Sequence, residues 1–277
     1  MSWTTFNLET SDHVAHLKFN RPEKLNSFVP ALWSELPQAV EQIEQEGEAR
    51  VIVISSTGKH FTAGMDLSVF ASFEKDDKAE PARQNAAFME LVKTLQQTFT
   101  CLAETRMPVI AAIQGGCIGA GLDLVTACDL RYASKDAYFL LAEVNLAMMA
   151  DVGTFPRLQK LIPAGIAREM AFTGEPLPAD RAERIGLVNG VFGNHDELVK
   201  GAMSVATKIA GKSPLAIWGS KSALNYGADH TTADTLEHVA NWQAGMFSPD
   251  DVKAALFAQQ NKEKPVFEGL SAKKVLK

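Results

Sequence analysis

Three carboxylates stand near the middle of the chain: Asp123, Glu143 and Asp151, the last two eight residues apart. Asp123 follows a Gly-Ala-Gly turn. Glu143 follows the apolar run Tyr138-Phe139-Leu140-Leu141. Asp151 is preceded by Leu146, Ala147, Met148, Met149 and Ala150. Taken singly, each has an ordinary use, as a helix-dipole partner, a solvated loop acid or an N-cap. An acid set in an apolar wall is different, because its charge is costly to desolvate unless it is paired or used. Carboxylates that share such a wall cannot all ionise, so one pKa rises toward neutrality. That is the condition for general acid–base catalysis at neutral pH.

Two glycine-containing loops each follow an apolar run: Thr62-Ala63-Gly64-Met65-Asp66-Leu67 and Gly119-Ala120-Gly121-Leu122-Asp123. Glycine lets a backbone approach a ligand and turn its N–H groups toward it. Two such donors aimed at one point make an oxyanion hole. The same glycines suit plain strand-to-helix turns. A phosphate cradle is disfavoured, since neither GxxxxGK[ST] nor GxGxxG is present. His60 lies in the first loop, but no GxSxG elbow accompanies it, so a hydrolase triad has little support. His13, His16, His195, His230 and His238 read as scattered and superficial, without the spacing of metal ligands. Cys101, Cys117 and Cys128 form no CxxC and read as free thiols in a reducing, cytoplasmic compartment.

The elements that must position these residues alternate. Val14–Phe19 alternates as a half-buried strand and stops at Asn20-Arg21-Pro22. Leu32, Leu36, Val40 and Ile43 share one helical face. Residues 51–54 are a β-branched run read as a buried strand. Residues 55–67 read as a loop, and 73–85 as an exposed, mobile segment. Phe88, Leu91, Leu95, Phe99 and Leu102 give a long amphipathic helix. Val109–Ile113 is a second buried strand, followed by the glycine-rich turn, a helix over 122–128 and a strand over 137–141. Strands alternating with helices predict an α/β fold with a buried sheet. Beyond about residue 200 only helices are read. That all-helical region is too small to bury its own apolar face, so it must pack on the core or on another subunit.

With 277 residues there is ample chain for a core, and 46% hydrophobic against 22% charged residues excludes wholesale disorder. A net charge of −6 argues against nucleic-acid binding, which relies on clustered Lys and Arg. No apolar stretch approaches the roughly 20 residues of a membrane span. Residues 1–9 lack the pattern of a secretory signal, and the C-terminal Lys-Val-Leu-Lys is not a peroxisomal address.

The segments Phe19-Asn20-Arg21-Pro22-Glu23-Lys24-Leu25-Asn26, Phe61 to Leu67, Pro108 to Ile113, and Gly119 to Asp123 with Ala127-Cys128-Asp129 together resemble the crotonase (enoyl-CoA hydratase/isomerase) superfamily, over essentially the whole chain. Within it the chain is most similar to the Δ(3,5)-Δ(2,4)-dienoyl-CoA isomerases, which carry an Asp where hydratases have their first catalytic Glu, here Asp123, and add an Asp eight residues after the second Glu, here Asp151 after Glu143. The Gly219-Ser220-Lys221 and Asp229-His230 regions are similar as well. The resemblance implies a spiral of ββα units over 1–200 and a helical trimerisation region over 201–277, assembled as a trimer or dimer of trimers. It implies an oxyanion hole from the N–H groups of Met65 and Ala120, the latter in place of the usual Gly. Coenzyme A would lie along Glu23, Lys24, Leu25, Ala63, Gly64, Met65, Asp66 and Leu67. No cofactor or metal is implied; an acyl-CoA thioester is the substrate. Glu143 would be the base at C2, Asp151 the acid at C6 and Asp123 an electrostatic or water-holding partner, with Glu143 and Asp151 exchangeable. The competing activities are 2-enoyl-CoA hydration and Δ3,Δ2-enoyl isomerisation. A non-catalytic acyl-CoA-binding or RNA-binding relative is the competitor of another class. Chain-length preference would depend on Phe70, Phe73, Phe88 and Met149.

Overall fold

The computed structural model describes residues 3–71 and 80–273. The chain runs β1 (Phe6–Ser11), β2 (Val14–Phe19), α1 (Pro30–Glu46), β3 (Val51–Ser56), α2 (Leu67–Ala71), α3 (Pro81–Glu104), β4 (Val109–Ile113), β5 (Gly116–Ile118), α4 (Ala120–Thr126), β6 (Leu130–Ser134) and β7 (Tyr138–Leu140). It continues with α5 (Thr154–Leu161), α6 (Ala164–Thr173), β8 (Leu177–Pro178), α7 (Ala179–Arg184), β9 (Gly190–Phe192), α8 (His195–Ala210), α9 (Pro214–Gly227), α10 (Thr232–Met246) and α11 (Pro249–Asn261). The main sheet has the order β1-β2-β3-β4-β6-β9 and is parallel except at β1. A smaller sheet has the order β5-β7-β8. Single bridges extend it, Thr62 to Cys117 of β5 and Met65 to Phe28. The unit therefore repeats: a strand in the large sheet, a short strand or bridge in the small one, then a helix. This is the expected spiral of ββα units.

The central strands are apolar on both sides because both sides are covered. Ile52 and Ile54 face the core built with Leu32, Leu36 and Ile43 of α1. Val51 and Val53 face Leu198, Ala202, Ala206 and Ala210 of α8. The alanines recur every fourth residue, so α8 lies close to the sheet.

Local pattern misses several elements. β1 is an edge strand with alternate residues exposed. β6 carries Arg131, whose guanidinium is buried because it donates to the carbonyls of Val125, Cys128 and Leu187. β5 lies inside the stretch read as a glycine turn, because pairing with β7, not side-chain pattern, holds it extended. α4 begins at Ala120, two residues before the expected start. Of the segment 73–85, residues 80–85 are not a loop: Glu80 caps α3, accepting from the N–H groups of Ala82 and Arg83. Residues 73–79 lie outside the described residues. Among the described residues no strand follows β9, and no helix is long and apolar enough to cross a membrane.

Candidate active site

The loop after β3 is held from three directions. Ala63 N donates to Leu25 O at 2.9 Å, and Thr62 Oγ1 donates to Asn26 O at 2.7 Å. Phe28 N donates to Gly64 O and Asp66 N to Phe28 O, at 2.7 and 3.0 Å. This parallel bridge turns the Met65 N–H away from Phe28. Asp66 anchors the next turn: it accepts from Ser27 Oγ, Ser68 N and Ser68 Oγ, bonds that pull its pKa down to about 2. Glu23, Lys24 and Leu25 are exposed on a short turn beside this loop. The residues named for coenzyme A are therefore brought together.

Gly64, at φ +82°, presses on the start of α4: a Cβ there would lie 2.6 Å from Ile118 O and 3.5 Å from Ala120 N. This close approach brings the Met65 loop against Ala120. Gly119 takes the left-handed φ of +53°, which leaves Ala120 in ordinary helical conformation. Alanine thus costs nothing at that position. As the first residue of α4, Ala120 has an N–H with no intrahelical acceptor.

Asp123, one turn into α4, is fully buried and is not a solvated dipole partner. Its Oδ1 accepts from Thr154 N at 2.5 Å, while Oδ2 has no partner within the chain. Burial, opposed by the Thr154 bonds, pushes its pKa up to about 6. Glu143 opens a short 3-10 turn after β7, and its buried Oε2 also lacks a partner within the chain. Its Oε1 lies 3.0 Å from where a Gly119 Cβ would be, which sets the carboxylate beside the Ala120 N–H. Burial first, then the charges of Asp123 and Asp151, raise Glu143 to about 7. Asp151 is half-buried, and desolvation raises its pKa too. Its carbonyl accepts from Gln96 Nε2 of α3 at 2.7 Å. The three carboxylates are thus gathered and electrostatically coupled.

The expected apolar wall before Asp151 needs correction. Ala150 and Val152 are buried, but Leu146, Met148 and Met149 are exposed, Met149 at 71%. Met149 and Phe88, read as depth-setting, are exposed in the isolated chain, and Phe73 lies outside the described residues. His60 has a structural role, its Nδ1 accepting from Gly116 N at 2.8 Å. The remaining histidines are not all superficial. His16 is half-buried with Nε2 2.7 Å from Ser55 Oγ, and His238 is half-buried and stacks on Tyr226, whereas His13 and His230 are exposed. Among the described residues no group of three or more His, Cys, Asp or Glu could hold a metal ion. Burial pushes the Cys128 thiol up to about 12 and raises Cys117, which makes both unreactive. An apolar groove of about 470 Å³ among α9, α10 and α11 lies apart from the carboxylates. Sequence reading missed Thr154, Gln96 and Arg157; only Thr154, following a glycine before a helical run, leaves a local trace.

The enoyl-CoA hydratase/isomerase family profile matches residues 9–270, and the chain belongs to that family. Among curated relatives, the peroxisomal Δ(3,5)-Δ(2,4)-dienoyl-CoA isomerase of Arabidopsis thaliana is 39% identical over 260 residues, covering 93% of this chain and 94% of that protein. The mitochondrial enzyme of the same name from Homo sapiens is 40% identical over 254 residues, 91% of this chain and 77% of that protein. The crystal structure of an enoyl-CoA hydratase from Bacillus anthracis superposes with a TM-score of 0.87 at 30% identity, covering 96% of this chain and all of that one.

Proposed function

We propose that this chain is an acyl-CoA isomerase that converts 3,5-dienoyl-CoA to 2,4-dienoyl-CoA. The observation that carries the reading is the gathering of Asp123, Glu143 and Asp151 in one electrostatically coupled cluster, with Glu143 Oε1 against Gly119 at the start of α4.

The thioester carbonyl accepts from Met65 and Ala120. Glu143 takes the proton from C2, and the C–H electron pair moves into a dienolate whose oxyanion is held by the two donors. Asp151 gives its proton to C6. The double bonds come to rest at C2=C3 and C4=C5, and no electrons are gained or lost. Glu143 is given the C2 side because its carboxylate lies against Gly119, next to an oxyanion donor, and C2 is bonded to the thioester carbonyl. A base with a pKa near 7 is well matched to neutral pH. Losing one oxyanion donor costs about 10²–10³ in rate. The thioester itself is the electron sink, so the step needs no cofactor. Coenzyme A would lie along Glu23, Lys24, Leu25 and residues 63–67. Hydration is the weaker reading, because Asp123 spends Oδ1 on Thr154 and is sealed from solvent.

The helical region serves assembly into a trimer or dimer of trimers, since Leu224, Leu236, Phe257 and Val266 are exposed in the single chain. Residue 200 falls inside α8, whose buried face belongs to the sheet core, so the assembling helices start at α9. Light scattering should then give three or six times 30.0 kDa. The free thiols favour a reducing compartment such as the cytoplasm, although the relatives are named as peroxisomal or mitochondrial.

The decisive assay offers purified protein a 3,5-dienoyl-CoA and, separately, a 2-enoyl-CoA, followed by ultraviolet absorbance. Rapid growth of the 2,4-dienoyl chromophore with little hydration supports the isomerase. Fast hydration without it overturns the reading.

A further inference from the structure

Helix α5 begins at Thr154, whose N–H holds Asp123, and Arg157 lies about one turn further along. Its guanidinium nevertheless folds back to the start of the helix, where a Cβ on Gly153 would overlap Arg157 Nη1. Gly153 also sits at φ +132°, so glycine is required there twice over. A cation at a helix N-terminus faces the positive end of the dipole, which is the unfavourable end. Nη2 donates to the neutral Thr100 Oγ1 at 2.9 Å, and Nη1 is buried without a partner in the chain. No ion pair within 4.0 Å involves Arg157 among the described residues. A half-buried cation placed this way needs a compensating anion. Of the groups that act on it, Asp123 of α4 outweighs Cys128 and Glu104 of α3. Asp123, in turn, is faced by Asp151, Arg157 and the Thr154 N–H.

We propose that Arg157 is a positioning residue: folded over Gly153 at the start of α5, it holds Asp123 as the carboxylate, and the Asp123 charge keeps one proton on the Glu143/Asp151 pair. The use of that proton rests on the isomerase reading. A 1,5-shift must start with one ionised and one protonated carboxyl. A proton parked on sealed Asp123 would be out of reach of substrate. Asp123 and Glu143 both titrate near neutrality, so a fixed positive charge beside one of them decides which keeps the proton. Of the charges that act on Glu143, Asp123 comes before Asp151, so a change in the Asp123 charge reaches Glu143 directly.

The test is the titration of Glu143 in the full chain, read by carboxyl infrared difference spectra assigned with Glu143→Gln, beside the acid limb of kcat/KM for 3,5-dienoyl-CoA. In Arg157→Met both should move to lower pH by roughly one unit, because neutral Asp123 no longer opposes ionisation of Glu143. Arg157→Lys should restore most of the shift. Asp123→Asn should move the titration the same way, and adding Arg157→Met to it should move it no further. A uniform loss of rate with an unmoved titration would overturn the proposal, as would a further shift in the Asp123→Asn background. If Arg157→Met does not fold, Arg157→Gln, which keeps a donor for Thr100, carries the same comparison. A wild-type chain that fails to isomerise the dienoyl thioester overturns the functional reading, and the infrared titration still decides the role of Arg157.

Discussion

Replacing Gly119 with alanine perturbs the site through a single methyl group. Gly119 has φ +53° and ψ −120°, a conformation that L side chains rarely adopt. Its alanine variant either holds that strain, at about 1–3 kcal/mol, or rotates the peptide that leads into Ala120. The added Cβ would also lie 3.0 Å from Glu143 Oε1, so the carboxylate must retreat by several tenths of an ångström to reach ordinary contact. Both relaxations move a group of the proposed mechanism, the Ala120 donor or the Glu143 base. A misplacement on the order of 1 Å costs about 10²-fold in rate, equivalent to about 2.7 kcal/mol of barrier. We therefore expect kcat to fall about 10²-fold, while Tm falls by about 2–5 °C, the strain divided by the unfolding entropy of a domain of this size. Affinity for a saturated acyl-CoA should change little, because Glu23 to Leu25 and residues 63–67 are untouched. The assay is formation of the 2,4-dienoyl chromophore, with thermal unfolding and calorimetric titration beside it. Unchanged kcat with a lowered Tm would refute the placement of Glu143 and Ala120 at the reacting atoms. Unchanged values of both would refute the strain argument as well.

The other expectations test separate links. Asp151→Asn should abolish the 1,5-shift while leaving thioester affinity nearly intact; undiminished turnover would remove Asp151 from the mechanism. The base at C2 must be ionised, and Glu143 is raised to about 7, so kcat/KM should fall as pH drops below neutrality. A profile that instead declines only as pH rises through 7 would exchange the roles of Glu143 and Asp151. Lys221 of α9 is buried and donates to Leu102 O, Met107 O and Asp129 Oδ2. Lys221→Met should cost about 2–6 kcal/mol by orphaning two buried carbonyls and leaving Asp129 Oδ2 with the Val109 N–H alone, seen as a lower urea midpoint with an unchanged m-value; an unmoved midpoint would show that α9 is not anchored this way.

Some of this protein was legible in residue order because it depends on near neighbours alone. Residues 51–54 are apolar and β-branched and Val109–Ile113 wholly apolar, and both are central strands. Phe99 and Leu102 mark the buried face of α3, and Leu32, Leu36 and Ile43 that of α1. The glycine positions, the acid types at 123, 143 and 151 and their spacing were there to be read as well. Where a local rule was overridden, a distant partner did it. Arg131 hides a strand because the carbonyl of Leu187, far along the chain, takes its guanidinium together with that of Cys128. Gly116 to Ile118 is extended only because β7 lies beside it.

Residue types and spacings, then, marked the acids that could do proton chemistry and the alternation of strands with helices, while the ββα order followed from the family resemblance. Only the tertiary structure decided that Gly64 would press against the start of α4, that Thr154 would hold Asp123, and that Arg157 would turn back over Gly153. Hydrophobic period reports which side of an element is buried, over a few residues. It carries no measure of how successive turns of the spiral stack. The pKa values of the acids depend on that stacking, through desolvation and through charges that are near in space and far apart in the chain.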